Sequence, residues 1–389
     1  MARYSLDLQS LRSGFLCLAV AIYALFGSPT PDDPGVLEVV IAGLLILAVG
    51  VSGAWMVVAF ERREIWVRAA QIFLLFGLSV PLLGGILTGN DPGLLLRDVI
   101  PFLFMMLPLF LFPLIEKNDE RFLLFSVLGL GVLFALRAGF ELPFLGKGEE
   151  LYYLANMPSV LFAAVFCAGL AAADFVQRFS VKASVKALML CGVAALCLWP
   201  MIETQQRASL GVFVLSLAFV LAVYGMKYPH RIFIIVLALA CVGGVFISEI
   251  LDVFENLNRK TELVGVNMRA AEWAAVWDEI SAHPLSVFFG QGWGATFSSP
   301  AVADIDVNFT HGLLSSLLLK TGLIGLALGL VYLSTLGRML ISGFKTQPVL
   351  AVAIAGPVLI DVFLYASFKS LDFGLVLALI PMLCLRIKS

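Results

Sequence analysis

Charge is what this chain has least of. Only 13% of its 389 residues are Asp, Glu, Lys or Arg, against about 25% in a typical soluble domain. With 61% apolar residues and a mean hydropathy of +1.00, that scarcity excludes a soluble globular protein. Cysteine is sparse too. All six (Cys17, Cys167, Cys191, Cys197, Cys241 and Cys384) lie inside apolar segments, and no pair has metal-ligand spacing in a loop. A disulfide framework is therefore not indicated, and the thiols read as small packing groups. Asp and Glu do not cluster as a metal site would need. The net charge of −2 says little about partners, and no nucleic acid is expected among them.

What the chain has instead is a series of apolar runs. Each is long enough to cross a hydrocarbon core of about 30 Å as a helix. A bilayer interior offers the backbone no water to bond, so the runs must be helices rather than open strands. Read between polar breaks, they give twelve spans at roughly 13–27, 36–60, 65–87, 98–115, 122–140, 157–176, 187–202, 209–226, 231–248, 311–337, 348–367 and 371–386. The first is expected to be a transmembrane helix rather than a cleaved leader, because Gly27-Ser-Pro-Thr-Pro offers no clear small-x-small site. The expected fold is all-α, one polytopic membrane domain over 1–389, with one large loop, 249–310, before the tenth span.

Positive charge sets the orientation. With the N-terminus inside and the spans alternating, sixteen of the twenty-five Lys and Arg residues fall on the inner side. Eight fall outside (Arg97, Arg137, Lys147, Arg207, Arg259, Lys260, Arg269 and Lys369), and Lys320 lies within a span. The positive-inside rule then makes both termini cytoplasmic and places the large loop outside the inner leaflet. The outer cations sit where that bias disfavours them. Anion binding would account for some, and chance for others such as Arg97, Arg137, Lys147 and Lys369.

The large loop is the one interruption in the hydrophobic pattern. Its segment 267–283, ending before Pro284, reads as an amphipathic helix with Trp273, Val276, Trp277 and Ile280 on one apolar stripe. Trp273 and Trp277 would sit at headgroup level on membrane lipids and hold Arg269, four residues before Trp273, at the height of a lipid phosphate. Gly290-Gln-Gly-Trp-Gly294 fails the dinucleotide-binding spacing and reads as a tight turn returning Trp293 to the membrane. Of three histidines, His230 lies in a basic inner loop and His283 precedes a helix-ending proline. His311 differs, opening the tenth span at its outer end, where an imidazole can serve as base or hydrogen-bond donor. Arg207 occupies the short outer connection between spans seven and eight. An ionisable group at the membrane edge is costly and marks a functional candidate. Arg207, Arg269 and His311 thus converge on one membrane face, two forked guanidiniums suiting a diphosphate.

In this order the residues resemble the O-antigen ligase and polymerase superfamily, bacterial transferases of lipid-linked glycans. The resemblance rests on about twelve spans, Arg207 just before the eighth, and Arg269-x3-Trp273 in the large loop. It continues through His283-Pro-Leu and the 290–294 glycine run to His311, followed by Gly322-x-x-Gly325. It implies a bacterial inner-membrane protein with its active site facing the periplasm. The donor would be a glycan on undecaprenyl diphosphate, with Arg207, Arg269, Arg259 and Lys260 holding the diphosphate. His311 would position or deprotonate the acceptor hydroxyl, and the sugar would transfer with inversion and with neither metal nor cofactor. The acceptor would be lipid A–core oligosaccharide in a ligase or a second lipid-linked glycan in a polymerase, and the compact chain favours the ligase. Gly312 departs from the polar amide frequent at that position. A secondary transporter, to which Lys320 and Asp361 point, and a membrane acyltransferase are the readings from other classes.

Overall fold

The computed structural model describes residues 8–28, 35–117, 121–139, 153–233, 235 and 268–385. These residues are mostly helical, and nine of their helices are long and apolar enough to cross a membrane. Two shorter apolar helices, Pro348–Phe363 and Leu371–Leu385, lie near the C-terminus. The expected ninth span, 231–248, falls almost wholly outside the described residues. The chain divides into two compact units. One comprises Met1–Val127, Asn267–Ser342 and Val358–Ser389; the other comprises Leu128–Val266 and Gly343–Pro357.

The first unit begins with α1 (Leu8–Phe26), α2 (Val36–Trp55), α3 (Ile65–Gly77), α4 (Val80–Leu87), α5 (Pro92–Met105) and α6 (Leu107–Lys117). The helix α7 (Arg121–Gly139) leads into the second unit, formed around α8 (Pro158–Arg178), α9 (Val181–Glu203) and α10 (Arg207–Gly225). The chain returns to the first unit with α11 (Met268–Ser281) and α12 (Pro284–Phe289). A hairpin of β1 (Phe297–Ser299) and β2 (Ile305–Val307) follows, then α13 (Leu313–Thr346), α14 (Pro348–Phe363), α15 (Leu371–Ala378) and α16 (Met382–Leu385). The two strands pair antiparallel, Phe297 opposite Val307. In the second unit α8 is buried over most of its length, its Ala163, Ala164, Gly169, Ala171 and Ala173 allowing close packing of neighbours. Its last carbonyls, Val176 and Gln177, accept hydrogen bonds from Arg231 at 2.6 and 3.0 Å.

Breaks in the spanning helices organise the first unit. Each break strips backbone carbonyls of their helical donors, and a low-dielectric interior requires substitutes. In α2 the ladder fails at Gly50. The buried Arg12 donates there to the Ala48 carbonyl at 2.8 Å, to Ser52 Oγ at 2.6 Å and to the Val49 carbonyl. Between α3 and α4, Pro81 has no N–H to offer the carbonyl four residues back, that of Gly77. The Trp293 indole N–H occupies it at 2.8 Å, and the Trp293 backbone N–H bonds the Pro81 carbonyl at 3.0 Å. In α13 the break is at Gly322, φ 64°. The Leu319 and Lys320 carbonyls accept from the N–H groups of Gln291 and Gly292 at 2.9 and 3.0 Å.

The glycine run 290–294 is therefore a plug that completes two broken spans. Trp293 packs among the membrane-spanning helices, where it is 3% exposed. Gly292 has φ 82°, and an added Cβ would overlap the backbone of Gly84 and Gly85. Gly292→Ala therefore combines a left-handed penalty of about 1–2 kcal/mol with overpacking of about 1–3 kcal/mol. The expected result is a clearly lowered melting temperature in detergent. Gly43→Ala, where nothing lies within 4 Å of the added atom, is the control and should melt like the parent. Equal melting of the two variants would contradict the plug.

Candidate active site

Strand β2 leads through Asn308, Phe309 and Thr310 to His311, immediately before α13. The Thr310 hydroxyl donates to the Gly312 carbonyl at 2.8 Å. The Ser315 hydroxyl reaches Thr310 Oγ1 at 2.9 Å and the same carbonyl at 3.0 Å. Both Thr310 and Ser315 are buried, so the backbone entering α13 is fixed from both sides of the histidine. Gly312 faces the Val362 and Phe363 carbonyls, which a Cβ would meet at 3.3 Å. That contact accounts for a glycine where a polar amide would crowd the chain.

The helix facing His311 is α11. Its apolar stripe is split in a way the sequence reading did not foresee. Val276 and Ile280 are fully buried against Phe297, Leu318 and Leu319. Trp273 and Trp277 stay 39% and 47% exposed. At about 100° per residue, positions 272, 276 and 280 share one ridge, and the Trp pair starts about 100° further round. The third member of the buried ridge is Glu272. Helix α11 stops at Ser281, and Pro284 begins α12 with the extended His283 as its N-cap.

Glu272 is the residue the sequence reading missed. Its side chain is 2% exposed, and a buried carboxylate must find partners. It finds them at His311. The backbone N–H of His311 donates to Glu272 Oε1 and Oε2 at 3.3 and 3.2 Å, and His311 Nδ1 lies 2.9 Å from Oε1. An ionised carboxylate can only accept, so the proton sits on Nδ1. That leaves the Nε2 lone pair as the basic position, on a side chain that is 25% exposed. Phe309 packs edge-on to the imidazole, ring centres 5.8 Å apart.

Arg269 stands one turn before Glu272, its Nη1 4.0 Å from Oε2. Burial lowers its pKa below the usual guanidinium range, and the charge of Glu272 and then that of Tyr365 oppose the shift. A guanidinium stays charged throughout the physiological range. With its side chain 37% exposed, it can still meet an anion. The arrangement is thus a cation, a buried carboxylate and an oriented imidazole within one turn of α11 and the start of α13. Such an arrangement can accept a proton at Nε2 and meet negative charge beside it. Among the described residues, no group of three or more His, Cys, Asp and Glu could hold a metal ion.

The remaining expected site residues are placed as follows. Arg207 is the first residue of α10, in the second unit, after a reversal in which Gln205 takes φ 55°. Arg259 and Lys260 lie outside the described residues. Lys320 and Asp361, the hints of a transporter, are both buried: Lys320 pairs with Asp98 at 2.8 Å, and Asp361 accepts from the Ser367 hydroxyl at 2.5 Å. A signal for Glu272 existed in the sequence, since it falls three residues after Arg269 and in i,i+4 register with Val276 and Ile280. An acidic residue on the buried ridge of an amphipathic helix needs a partner.

The family model described as O-Antigen ligase matches residues 192–330, an interval that contains Arg207, Arg269, Glu272 and His311. No curated protein matches the chain. Among the described residues the chain thus combines nine helices long and apolar enough to cross a membrane with a segment, residues 192–330, that is similar to the O-antigen ligase family.

Proposed function

We propose that this protein is an inverting, metal-independent glycosyltransferase acting at the periplasmic face of the bacterial inner membrane. It transfers a glycan from undecaprenyl diphosphate to lipid A–core oligosaccharide. The observation that carries the reading is the 2.9 Å contact of His311 Nδ1 with buried Glu272, beside Arg269. In this mechanism His311 Nε2 takes the proton of an acceptor hydroxyl. The hydroxyl oxygen attacks the anomeric carbon from the face opposite the diphosphate, and the bond to the diphosphate breaks with its electrons leaving on oxygen. Arg269, with Arg207, Arg259 and Lys260 as its proposed companions, stabilises the charge that develops on the leaving diphosphate. Exposed Trp273 and Trp277 would face the lipid headgroups and hold α11 at that height.

The test is reconstitution of the purified chain in liposomes with a polyprenyl-diphosphate-linked glycan and either candidate acceptor. Product resolved on a gel separates ligation onto lipid A–core from lengthening of the lipid-linked glycan. The second outcome would assign the polymerase reaction to the same residues, and no product with either acceptor would contradict the reading. In this assay Arg269→Ala is expected to lower kcat/KM by about 10²–10³-fold, the scale of one lost charge-stabilising donor. Lysine at 269 should rescue poorly, because an ammonium cannot reproduce the planar fork. Near-full activity of Arg269→Lys would replace the bidentate contact by simple charge attraction.

A further inference from the structure

We infer that Asp98, Lys320 and Lys369 form a buried clamp that fixes both feet of the β1–β2 hairpin and so aims His311. Asp98, on α5, accepts the Gly294 N–H at 2.8 Å through Oδ2. The same oxygen pairs with Lys320 of α13 at 2.8 Å, and Oδ1 pairs with Lys369 at 3.0 Å. Lys320 also donates to the Ala295 carbonyl, and Lys369 to the Asn308 carbonyl at 3.3 Å. Gly294 and Ala295 are where the chain enters the hairpin. Asn308 is where it leaves, three residues before His311. One carboxylate therefore ties entry and exit together, and the five residues it reaches directly or through the lysines (Gly294, Ala295, Asn308, Lys320 and Lys369) all belong, like Asp98, to the first unit.

Stability alone is a poor reason for this cluster. Two buried charges, Asp98 and Lys320, with Lys369 only 15% exposed beside them, carry a desolvation cost that well-packed apolar side chains would avoid. What ions supply and apolar contacts lack is direction: Asp98, Lys320 and Lys369 each also bond one specific backbone atom of the 294–308 segment, in Gly294, Ala295 and Asn308 respectively. Lys369, which the charge count left as a chance outer cation, thus has two defined partners. It is also the excess charge of the cluster, so its removal leaves Asp98 and Lys320 as a neutral pair. Lys369→Met is therefore the variant expected to fold, whereas Asp98→Asn would leave two buried cations without a counter-charge.

The effect on rate rests on the reading of His311 as the proton acceptor; the effect on geometry does not. The chain has three histidines, so His230→Gln with His283→Gln leaves His311 as the one imidazole diethylpyrocarbonate can modify, followed by the ultraviolet absorbance of N-carbethoxyhistidine. Purified through a histidine-free tag, this parent and its Lys369→Met derivative are compared for carbethoxylation and for transfer in liposomes. With Lys369→Met, modification of His311 should be several-fold faster. The kcat should fall by about 10²-fold, the scale of an ångström misplacement, with donor KM almost unchanged. Lys369→Arg should restore both. Asp98→Asn combined with Lys320→Met, which keeps the cluster's charge at its native value, should fold and show the same two changes. Unaltered modification together with unaltered kcat in Lys369→Met overturns the clamp. A rise in donor KM at constant kcat also overturns it, placing Lys369 against the donor instead. Faster modification in a protein whose parent transfers nothing would support the clamp while rejecting the proposed reaction.

Discussion

Replacing His311 with alanine is expected to slow glycan transfer by about two to four orders of magnitude, the usual worth of a positioned general base. The expectation follows from which nitrogen is free. Nδ1 is committed to Glu272 at 2.9 Å, so Nε2 is the position that can take a proton from an acceptor hydroxyl. Donor binding should change little, because the proposed diphosphate contacts come from arginine and lysine. His283→Ala and His230→Ala should remain active. His283 makes no side-chain capping bond at the start of α12, and His230 belongs to the second unit. The measurement is single-turnover transfer together with equilibrium binding of the lipid-linked donor. Near-normal turnover by His311→Ala would remove proton abstraction from the mechanism. Lost donor binding would instead make His311 part of the diphosphate site.

Much of this arrangement can be read from the chain, and what cannot has physical causes. The spans are legible because a bilayer imposes length and hydrophobicity on every crossing segment. Arg269 and His311 stand out because ionisable groups beside apolar runs are rare and costly. The breaks within spans are less legible. Gly50 and Gly322 look like ordinary small residues of membrane helices, and only the fold shows their positive φ and the groups that meet the freed carbonyls. Trp293 illustrates the same limit. Its neighbouring glycines signal a turn, but its partners, the Gly77 and Pro81 carbonyls, lie more than two hundred residues away in sequence. The split of the α11 stripe was hidden for a related reason. Periodicity finds apolar positions at helical spacing, yet it cannot say which ridge meets protein and which meets lipid or water. Val276 and Ile280 face Phe297, Leu318 and Leu319, so the ridge containing Glu272 is buried and the Trp pair is left outside.

That displacement of the Trp residues by Glu272 leads to the sharpest expectation for the site. Glu272 does not touch the reacting atoms in the proposed mechanism; it is a positioning residue acting through His311. Glu272→Gln keeps the shape and can keep one acceptor for the His311 backbone N–H. It also lets an amide N–H face Nδ1, which would move the imidazole proton to Nε2 and block the basic position. Where a buried carboxylate orients a catalytic imidazole, that exchange costs on the order of 10⁴-fold in kcat, and a loss on the order of 10³–10⁴-fold is expected here. Glu272→Asp, a methylene shorter, should recover part of the loss, because it restores an acceptor-only group facing Nδ1. The effect should fall mainly on kcat. A modest rise in donor KM would reflect looser positioning of Arg269, whose Nη1 lies 4.0 Å from Glu272 Oε2. Because the two residues act as a unit, the double variant His311→Ala with Glu272→Gln should be scarcely slower than His311→Ala alone. Independent, multiplying losses in the double variant would show that Glu272 serves the reaction by some route other than the imidazole. A Glu272→Gln protein with parental kcat would leave the buried carboxylate as packing chemistry and nothing more.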